Sequence, residues 1–314
     1  MKFLFCLLMA TAFTAHALET DNYLSWGRAL PDVGDEINQL VQKQIEDVLQ
    51  DSSPKENLSC QQITFRIADR FKTTPTRKLF EDWSVESIAE KMHPSTPFYL
   101  KESIYRNTGR IYLSKSGLSP NIQTKGIYFG VDKLSHFGST GRRYLKEYLK
   151  RIRKGLSPDE AVKAAIRLGL SNEAMILGLW PSGVFSYGDM EANFQGFLFY
   201  KKMCLDEVDT YLAKESGRWK LVKIPDLRIF ISPYWDESFN LSYRSPGTWA
   251  HTSKVIHAEY CPLLKSEEVQ GRFQHYQKQN HTSFSLNYIA ELQASRYHQA
   301  PVPTETQSVD KLCE

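Results

Sequence analysis

Three stretches of the sequence carry acidic, basic and imidazole side chains at spacings that suit a shared site. They contain Asp132, Lys133 and His136 in GVDKLSHF, Glu173 in LSNEAMILG, and Asp189 and Asn193 in SYGDMEANFQG. Residues four positions apart share a face of an α-helix, so Asp132 projects beside His136. For the same reason Asp189 projects beside Asn193. Because isolated buried charges are costly, the pattern predicts either a functional site or a buried structural network.

The first interpretation of these residues is a divalent metal site. Three carboxylates and one imidazole suit Mn²⁺, Fe²⁺ or Zn²⁺ held between helices. Such an ion would activate water for hydrolysis of a phosphoester or an amide. The expected cofactor is therefore either none or one divalent metal, with the candidate ligands Asp132, His136, Glu173 and Asp189.

The second interpretation is metal-free carboxylate catalysis on a glycan. Glu173 at the end of a small, apolar helix face would keep its proton because burial disfavours the charged form, as a general acid requires. Asp189 or Asp132 would be the ionised partner that stabilises positive charge or places water. The following turn offers aromatic side chains that could stack on sugar rings, namely Trp180, Phe185 and Tyr187.

The third interpretation is a structural network without catalysis. Lys133 or Arg143 would pair with the carboxylates, and Asn193 would bridge neighbouring groups. Ser186 precedes Asp189 by three residues and is expected to cap a helix, since the G-x-S-x-G motif of a nucleophile is missing around it. The protein would then be a non-enzymatic envelope factor that binds a glycan or a partner.

Helical periodicity places the candidate residues in one central unit. Gly155 ends the first predicted helix, and Ser157-Pro158-Asp159-Glu160 begins the second with a cap, an N-terminal proline and a capping-box glutamate. The predicted helices cover about 129–153, 157–179 and 187–213. Small residues on the last two allow a neighbouring helix to approach closely, namely Ala161, Ala165, Gly169 and Gly196.

The segments before the central unit are predicted to be mainly helical, and those after it are predicted to mix strands, loops and a helix. Amphipathic spacing predicts N-terminal helices over about 34–50, 60–72 and 79–91, and residues 110–114 predict a short strand. RWKLVKIPDLRIFISP, after residue 214, predicts two short strands separated by Pro225. A loop-rich stretch over 232–262 and a last helix over about 266–293 come next.

The expected fold is mainly α, with a central helical bundle, an N-terminal helical region and a small mixed, loop-rich C-terminal region. The roughly 295 residues after the first segment can bury a large core. The expected divisions are a signal peptide over 1–17, an N-terminal region over 18–122, the helical core over 123–213, the mixed region over 214–298 and a disordered tail over 299–314.

The first residues, MKFLFCLLMATAFTAHA, are typical of a secretory signal peptide with an A-x-A cleavage motif. Cleavage there leaves Leu18 first, without a cysteine for lipid attachment, and no later stretch reaches the roughly 18 apolar residues of a membrane span. A soluble secreted, periplasmic or extracellular protein is therefore expected. In that oxidising environment four cysteines predict two disulfides with three possible pairings, among Cys60, Cys204, Cys261 and Cys313.

The formal net charge of +3 is close to neutral, and one basic stretch over 142–154 stands out. It is either a solvated helix end, where basic residues suit the helix dipole, or a contact for an anionic envelope polymer or lipid headgroup. An exported protein has little access to nucleic acid. The expected partners are therefore peptidoglycan or another envelope glycan and an anionic membrane surface.

The order of the central motifs resembles the pattern of VanZ-like proteins and the YfiM-type envelope lipoproteins. That pattern is D-K-x-x-H-F, a helical Glu, and S-x-x-D-x-x-A-N-x-x-G, and residues 128–200 carry it here. The chain differs from VanZ-like proteins in having no membrane helices, and from YfiM-type proteins in having no lipid-attachment cysteine and in its long flanks. The resemblance implies a helical envelope domain but supplies no reaction.

Together these observations predict an exported cell-envelope hydrolase that acts on peptidoglycan or a related glycan or lipid-linked precursor. In this interpretation Glu173 is the general acid or a ligand, Asp132 and Asp189 are the partner carboxylates, and His136 is a base or ligand. Substrate contacts are expected from Asn193, Lys133, Ser186, Trp180 and Tyr187. The alternative remains a non-enzymatic envelope factor or glycan-binding protein whose polar cluster is structural.

Overall fold

The fold is mainly α, as the sequence predicted. The structure is a computed structural model. It describes residues 19–74, 78–93, 101–108, 118–206, 208–297, 300–302 and 307–314. The predicted signal peptide over 1–17 and the predicted strand over 110–114 lie outside the described residues. Within them, no helix is long and apolar enough to cross a bilayer.

The N-terminal region contains three helices near the predicted positions. They are α1 (Gly34–Asp51), α2 (Cys60–Arg70) and α3 (Leu79–Ser87). Ser59 begins α2 with a capping box, because its hydroxyl accepts from the Gln62 amide while the Gln62 side chain accepts from the Ser59 amide. The buried face of α1 is the apolar stripe expected from its spacing, namely Ile37, Val41, Ile45 and Val48.

The central unit is helical but is interrupted by two π-helical turns. Its helices are α4 (Val131–Ser135), α5 (Gly141–Ile152), α6 (Pro158–Asn172), α7 (Leu179–Ser182) and α8 (Tyr187–Cys204). A π-turn over His136–Thr140 joins α4 to α5, and another over Glu173–Leu177 comes after α6. The third helix was predicted to reach residue 213 and instead ends at Cys204, so that part of the prediction was wrong.

Helices α5 and α8 pack closely because glycines face each other at their contact. A Cβ on Gly141 would lie 2.7 Å from the Gly196 carbonyl carbon, and a Cβ on Gly196 would lie 1.9 Å from the Phe137 carbonyl oxygen. Tyr200 of α8 also donates to the Gly138 carbonyl at 2.8 Å. These contacts hold α8 against the first π-turn and so fix the distance between the candidate residues of the two segments.

Replacing Gly196 by alanine is expected to destabilise the fold by about 2 kcal/mol or more, because the added methyl group meets backbone rather than a flexible side chain. Gly271 is the matched control, since a Cβ there meets nothing within 4 Å. Gly271→Ala should be neutral or stabilising by about 0.5–1 kcal/mol. Denaturant unfolding measures both changes, and equal effects would show that the α5–α8 contact is not tight.

The described strands form four two-stranded pairs. They are β1 (Glu19–Thr20), β2 (Leu118–Ser119), β3 (Asn121–Thr124), β4 (Ile127–Gly130), β5 (Val184–Phe185), β6 (Leu212–Glu215), β7 (Arg218–Leu221) and β8 (Tyr243–Arg244). β1 pairs with β2 in parallel, and the antiparallel pairs are β3–β4, β5–β8 and β6–β7. The β1–β2 pair brings the start of the described chain beside α4.

The C-terminal region is more helical than its sequence suggested. Its helices are α9 (Pro246–Val255), α10 (Cys261–Leu264), α11 (Glu267–Lys278), α12 (Phe284–Ala294) and α13 (Val309–Cys313). The second strand predicted around Pro225 is wrong, since Leu227–Ile229 form a 3₁₀ turn. The last predicted helix is two helices, and α9 and α10 lie in the stretch predicted as loop.

Two disulfides join the four described cysteines, which confirms that prediction and selects one of its three pairings. Cys60 bonds Cys204, so the N-terminal helix α2 is tied to the end of α8. Cys261 bonds Cys313, which ties α13, in the tail predicted to be disordered, to α10. Each bond therefore links a flanking region to another part of the fold.

Candidate functional site

Lys133 lies at the centre of three buried carboxylates. Its Nζ is 2.8 Å from Asp132 Oδ2, 2.7 Å from Asp189 Oδ1 and 2.5 Å from Glu237 Oε1. Both Lys133 and Asp132 are at most 1 % exposed. A buried ammonium requires such partners, because desolvation of an unpaired charge is very costly.

Hydrogen bonds from several elements complete the Lys133 cluster. The Thr20 hydroxyl of β1 donates to Asp132, and the Asp132 amide donates to the Ser119 hydroxyl of β2 at 2.8 Å. Glu237 accepts from the hydroxyls of Ser186 at 2.7 Å and Ser242 at 2.8 Å. Each of these carboxylates therefore has partners beyond Lys133, as a stable buried ionic network requires.

Glu237 was missed by the sequence interpretation. It comes after the 3₁₀ turn Pro233–Trp235, in a stretch without helical or strand periodicity, and it lies 104 residues from Lys133. Only the folded chain brings it to the cluster, where its amide donates to Asn22 Oδ1 at 2.9 Å. A single glutamate in a loop carries no local signal that could have identified it.

A metal ion could be held by three of these carboxylates. Asp132, Asp189 and Glu237 each bring one oxygen within 4.8 Å of the others. This group shares two residues with the predicted ligand set and has Glu237 in place of His136 and Glu173. Carboxylate oxygens suit hard divalent cations. However, Lys133 Nζ contacts all three groups and already supplies the positive charge that a metal would bring.

His136 lies between the two candidate residues of α8. Its Nε2 is 3.2 Å from Asp189 Oδ2, and its Nδ1 is 3.2 Å from Asn193 Oδ1. The spacing of four along α8 places Asp189 and Asn193 on the same face, as the sequence predicted. The imidazole is 3 % exposed and is held from both sides.

Glu173 begins the second π-turn and lies beside the start of α8. Its Oε1 accepts from the Ser186 amide at 3.2 Å, and its Oε2 has no hydrogen-bond partner within the described part of the chain. Gly178 leaves room for the carboxyl group, since a Cβ there would lie 2.1 Å from Oε1. The side chain is 1 % exposed. A buried, half-satisfied carboxyl group is unusual enough to require explanation.

The local environment shifts the pKa values of the two central carboxyl groups in opposite directions. Burial, reinforced by the negative charge of Asp189, raises the pKa of Glu173 well above its usual value. Burial would also raise the pKa of Asp189, but His136 and Lys133 outweigh it and lower that pKa from its usual value. The environment therefore favours the protonated form of Glu173 and the ionised form of Asp189.

Glu19 of β1 is a second buried carboxyl group beside the cluster with a raised pKa. Burial, followed by the charges of Glu237 and Asp189, raises the pKa of Glu19 well above its usual value. The pKa of Lys133 is raised despite burial, because Asp132, Asp189 and Glu237 surround it. The three carboxylates therefore favour the charged form of Lys133, whereas burial disfavours the charged form of Glu19.

A small surface cavity of about 40 Å³ adjoins His136. Residues of both π-turns border it, since His136 begins the first turn and Leu177 ends the second. Its volume exceeds the space that one water molecule needs. π-turns occur frequently at functional sites, and both π-turns of the central unit begin at a candidate catalytic residue. The lining residues are Thr73, Ser135, His136, Ser139, Thr140, Arg143 and Leu177.

The remaining candidate residues lie around this centre with very different exposure. Ser186 caps α8 by accepting from the Asp189 amide at 3.0 Å, as predicted. Phe185 and Tyr187 are buried, and the Tyr187 hydroxyl donates to the Pro301 carbonyl. Trp180 of α7, by contrast, is 80 % exposed. Of the three aromatic residues considered for sugar stacking, only Trp180 is at the surface.

The basic stretch of α5 is partly neutralised by neighbouring acids. Arg142 pairs with Asp69 at 2.9 Å, and Arg151 pairs with Glu147 at 2.6 Å. Arg143 is exposed and has no carboxylate partner among the residues that the structure describes. Arg143 therefore brings a positive charge to the lining of the cavity, together with His136.

No protein-family model matches this chain, and neither a curated protein nor a solved structure shows significant similarity to it. The resemblance to VanZ-like and YfiM-type proteins stays a prediction from the residues. The class of protein must therefore be argued from the geometry of the site.

Proposed function

We propose that this protein is an exported hydrolase that cleaves a glycosidic bond of a cell-envelope glycan by general acid–base catalysis. The observation that carries the proposal is the pair of neighbouring buried carboxyl groups Glu173 and Asp189, whose pKa values are shifted in opposite directions. Environments that separate two pKa values in this way assign the acid and the base of a hydrolase. His136, whose Nε2 is 3.2 Å from Asp189 Oδ2, lines a water-sized cavity.

The polar network divides into two parts with different roles. Asp132, Lys133 and Glu237 are fully partnered, which supports a structural role for that part. Glu173 Oε2 and His136 Nε2 make no well-aligned hydrogen bond to the described residues, and His136 lines the cavity. Groups that catalyse proton transfer must keep such capacity for substrate and water.

In the proposed reaction, Glu173 donates its proton to the leaving oxygen as the glycosidic C–O bond breaks. A water molecule attacks the anomeric carbon, and the Asp189–His136 pair accepts the proton that this water loses. Asn193 orients the imidazole through its Nδ1 contact. Because Glu173 and Asp189 are buried, the outer turn over 174–182 must open to admit the sugar.

Export is part of the proposal and has independent support. The two disulfides suit an oxidising compartment, where envelope glycans are accessible. A divalent metal in the Asp132–Asp189–Glu237 group is the less favoured variant of the proposal, because Lys133 occupies the position between these carboxylates.

The pH dependence of hydrolysis tests the acid–base assignment. The rate is expected to fall as the pH rises through the raised pKa of Glu173, because the acid loses its proton. On the acidic side it should fall only at a pH below the usual carboxyl range, because the pKa of Asp189 is lowered. Release of reducing ends from purified sacculi measures the rate. A rate that rises through neutral pH and stays high would contradict the assignment.

A non-enzymatic glycan-binding protein is the second candidate, favoured by the complete partnering of the Lys133 part of the network. In that case sacculi bind the protein without release of reducing ends at any pH. Co-sedimentation with sacculi, measured beside the hydrolysis assay, separates the two functions.

A further inference from the structure

The cavity beside His136 is lined by hydrogen-bond donors that the fold does not use. The hydroxyls of Thr73, Ser139 and Thr140 make no hydrogen bond to any described residue. Arg143 adds a guanidinium without a carboxylate partner in the same part of the structure. None of the seven lining residues is acidic. Free hydroxyls around one unpaired guanidinium suit a compact oxyanion.

An exposed apolar surface adjoins this cavity. Met175 is 62 % exposed, Ile176 is 50 % exposed and Trp180 is 80 % exposed. The first two lie in the same π-turn as Leu177, which lines the cavity, and α7 with Trp180 packs on that turn. Neighbouring exposed apolar side chains mark contact surfaces, and tryptophan favours the boundary between water and hydrocarbon. We call Met175, Ile176 and Trp180 the outer patch.

We propose that the cavity binds the phosphate group of a lipid-linked substrate while the outer patch contacts its hydrocarbon chain. This substrate class rests on the hydrolase function proposed above. Phosphate complements the charge of Arg143 and accepts hydrogen bonds from the free hydroxyls. A hydrocarbon chain complements the outer patch, which water solvates poorly.

The outer patch lies on segment 174–182, which must open to admit a sugar to Glu173. A hydrocarbon chain that binds the outer patch would therefore bind the segment that opens, and its binding could favour the open form. A substrate that carries phosphate, lipid and sugar on one molecule would place its sugar beside Glu173 while its other groups are held. Soluble glycan lacks the lipid contact.

Binding of the mature protein to vesicles tests the proposal without requiring catalysis. Three vesicle types are compared: phosphatidylcholine alone, phosphatidylcholine with phosphatidic acid, and phosphatidylcholine with an equal charge density of oleic acid. We expect co-sedimentation with phosphatidic acid vesicles at least about tenfold tighter than with oleic acid vesicles. Equal binding to both anionic vesicles would overturn the phosphate pocket.

Matched variants localise the effect. Arg143→Gln should weaken binding to phosphatidic acid vesicles about tenfold, whereas Arg153→Gln makes the same charge change about 15 Å farther along the helix and should have little effect. Trp180→Ala should also weaken binding about tenfold, whereas Ile224→Ala, at a residue 61 % exposed elsewhere, should not. Equal losses for a variant and its control would overturn the site.

Competition by inorganic phosphate separates a lipid site from a site for free anions. If inorganic phosphate competes only weakly and Trp180→Ala loses vesicle binding, the result supports the lipid-linked ligand. If inorganic phosphate binds tightly and Trp180→Ala leaves that binding unchanged, the result would overturn the lipid-linked ligand. Failure here is distinguishable from failure of the hydrolase function, because sacculus hydrolysis that depends on Glu173 can be present with or without vesicle binding.

Discussion

Replacement of Lys133 by methionine is expected to lower the free energy of unfolding by about 3–5 kcal/mol at neutral pH. Methionine keeps most of the apolar stem and removes the ammonium, so the change isolates the charge. Asp132, Asp189 and Glu237 would then face one another in the interior without the cation that contacts all three. The midpoint of denaturant unfolding measures the loss.

Lys150→Met provides the matched control on the surface. Lys150 contacts Glu147 at 3.3 Å and is half exposed, so removal of its charge should cost less than about 1 kcal/mol. If Lys133→Met costs no more than Lys150→Met, the cluster is not the ionic network that the distances indicate.

The pH dependence of the Lys133→Met variant has a definite sign. Mutual repulsion and burial would raise the carboxyl pKa values of the folded variant above those of the unfolded chain. The folded state then binds more protons than the unfolded state, so stability falls as the pH rises. The variant should therefore recover stability as the pH falls from neutral toward the ordinary carboxyl range. A constant deficit across that range would show that lost packing, rather than charge, causes the effect.

The same variant tests the metal interpretation. Without Lys133, the three carboxylate oxygens within 4.8 Å of one another are free to bind a divalent cation. Manganese or calcium ions should then raise the midpoint of thermal unfolding of Lys133→Met more than that of the wild type. An equal increase in both proteins would mean that the wild-type cluster binds metal in spite of Lys133.

The sequence predicted the pairwise contacts that depend on helix spacing alone. Asp189 and Asn193 share a face of α8 because they are four residues apart, and both reach His136. Ser186 and Ser157 were recognisable as caps because capping residues act within three or four positions of themselves. Local rules therefore identified most of the site.

Contacts that require the folded chain were beyond those rules. Glu237 and Glu19 come from a loop and from a two-residue strand, and neither has a periodic neighbour that marks it. The π-turns were also missed, because an extra residue in a helix is stabilised by tertiary contacts rather than by its own sequence. The extra residue of a π-turn rotates the residues that follow it about the helix axis. The helix predicted over 157–179 therefore loses its regular spacing after Asn172, where α6 ends and the second π-turn begins.

Glu173→Gln is expected to reduce sacculus hydrolysis by about 100-fold or more while leaving the fold intact. Glutamine cannot donate a proton to the leaving oxygen, so the step that depends on the acid is lost. Because the pKa of Glu173 is higher in the folded chain than in the unfolded chain, its carboxyl group lowers the stability of the wild type at neutral pH. Glutamine does not titrate, so the variant should be at least as stable there.

Glu191→Gln is the control that makes the result specific. Glu191 lies on α8, is as buried as Glu173, and accepts hydrogen bonds from Gln195 at 2.8 Å and Ser285 at 2.7 Å. The same chemical change there should leave the rate within a few-fold of the wild type, because the hydrogen-bond partners of Glu191 among the described residues are Gln195, Ser283 and Ser285 rather than His136 or Asp189. Retained hydrolysis in Glu173→Gln, with both variants folded, would exclude Glu173 as the acid. Equal losses in both variants would trace the effect to the loss of a buried carboxyl group in general rather than to a proton donor at Glu173.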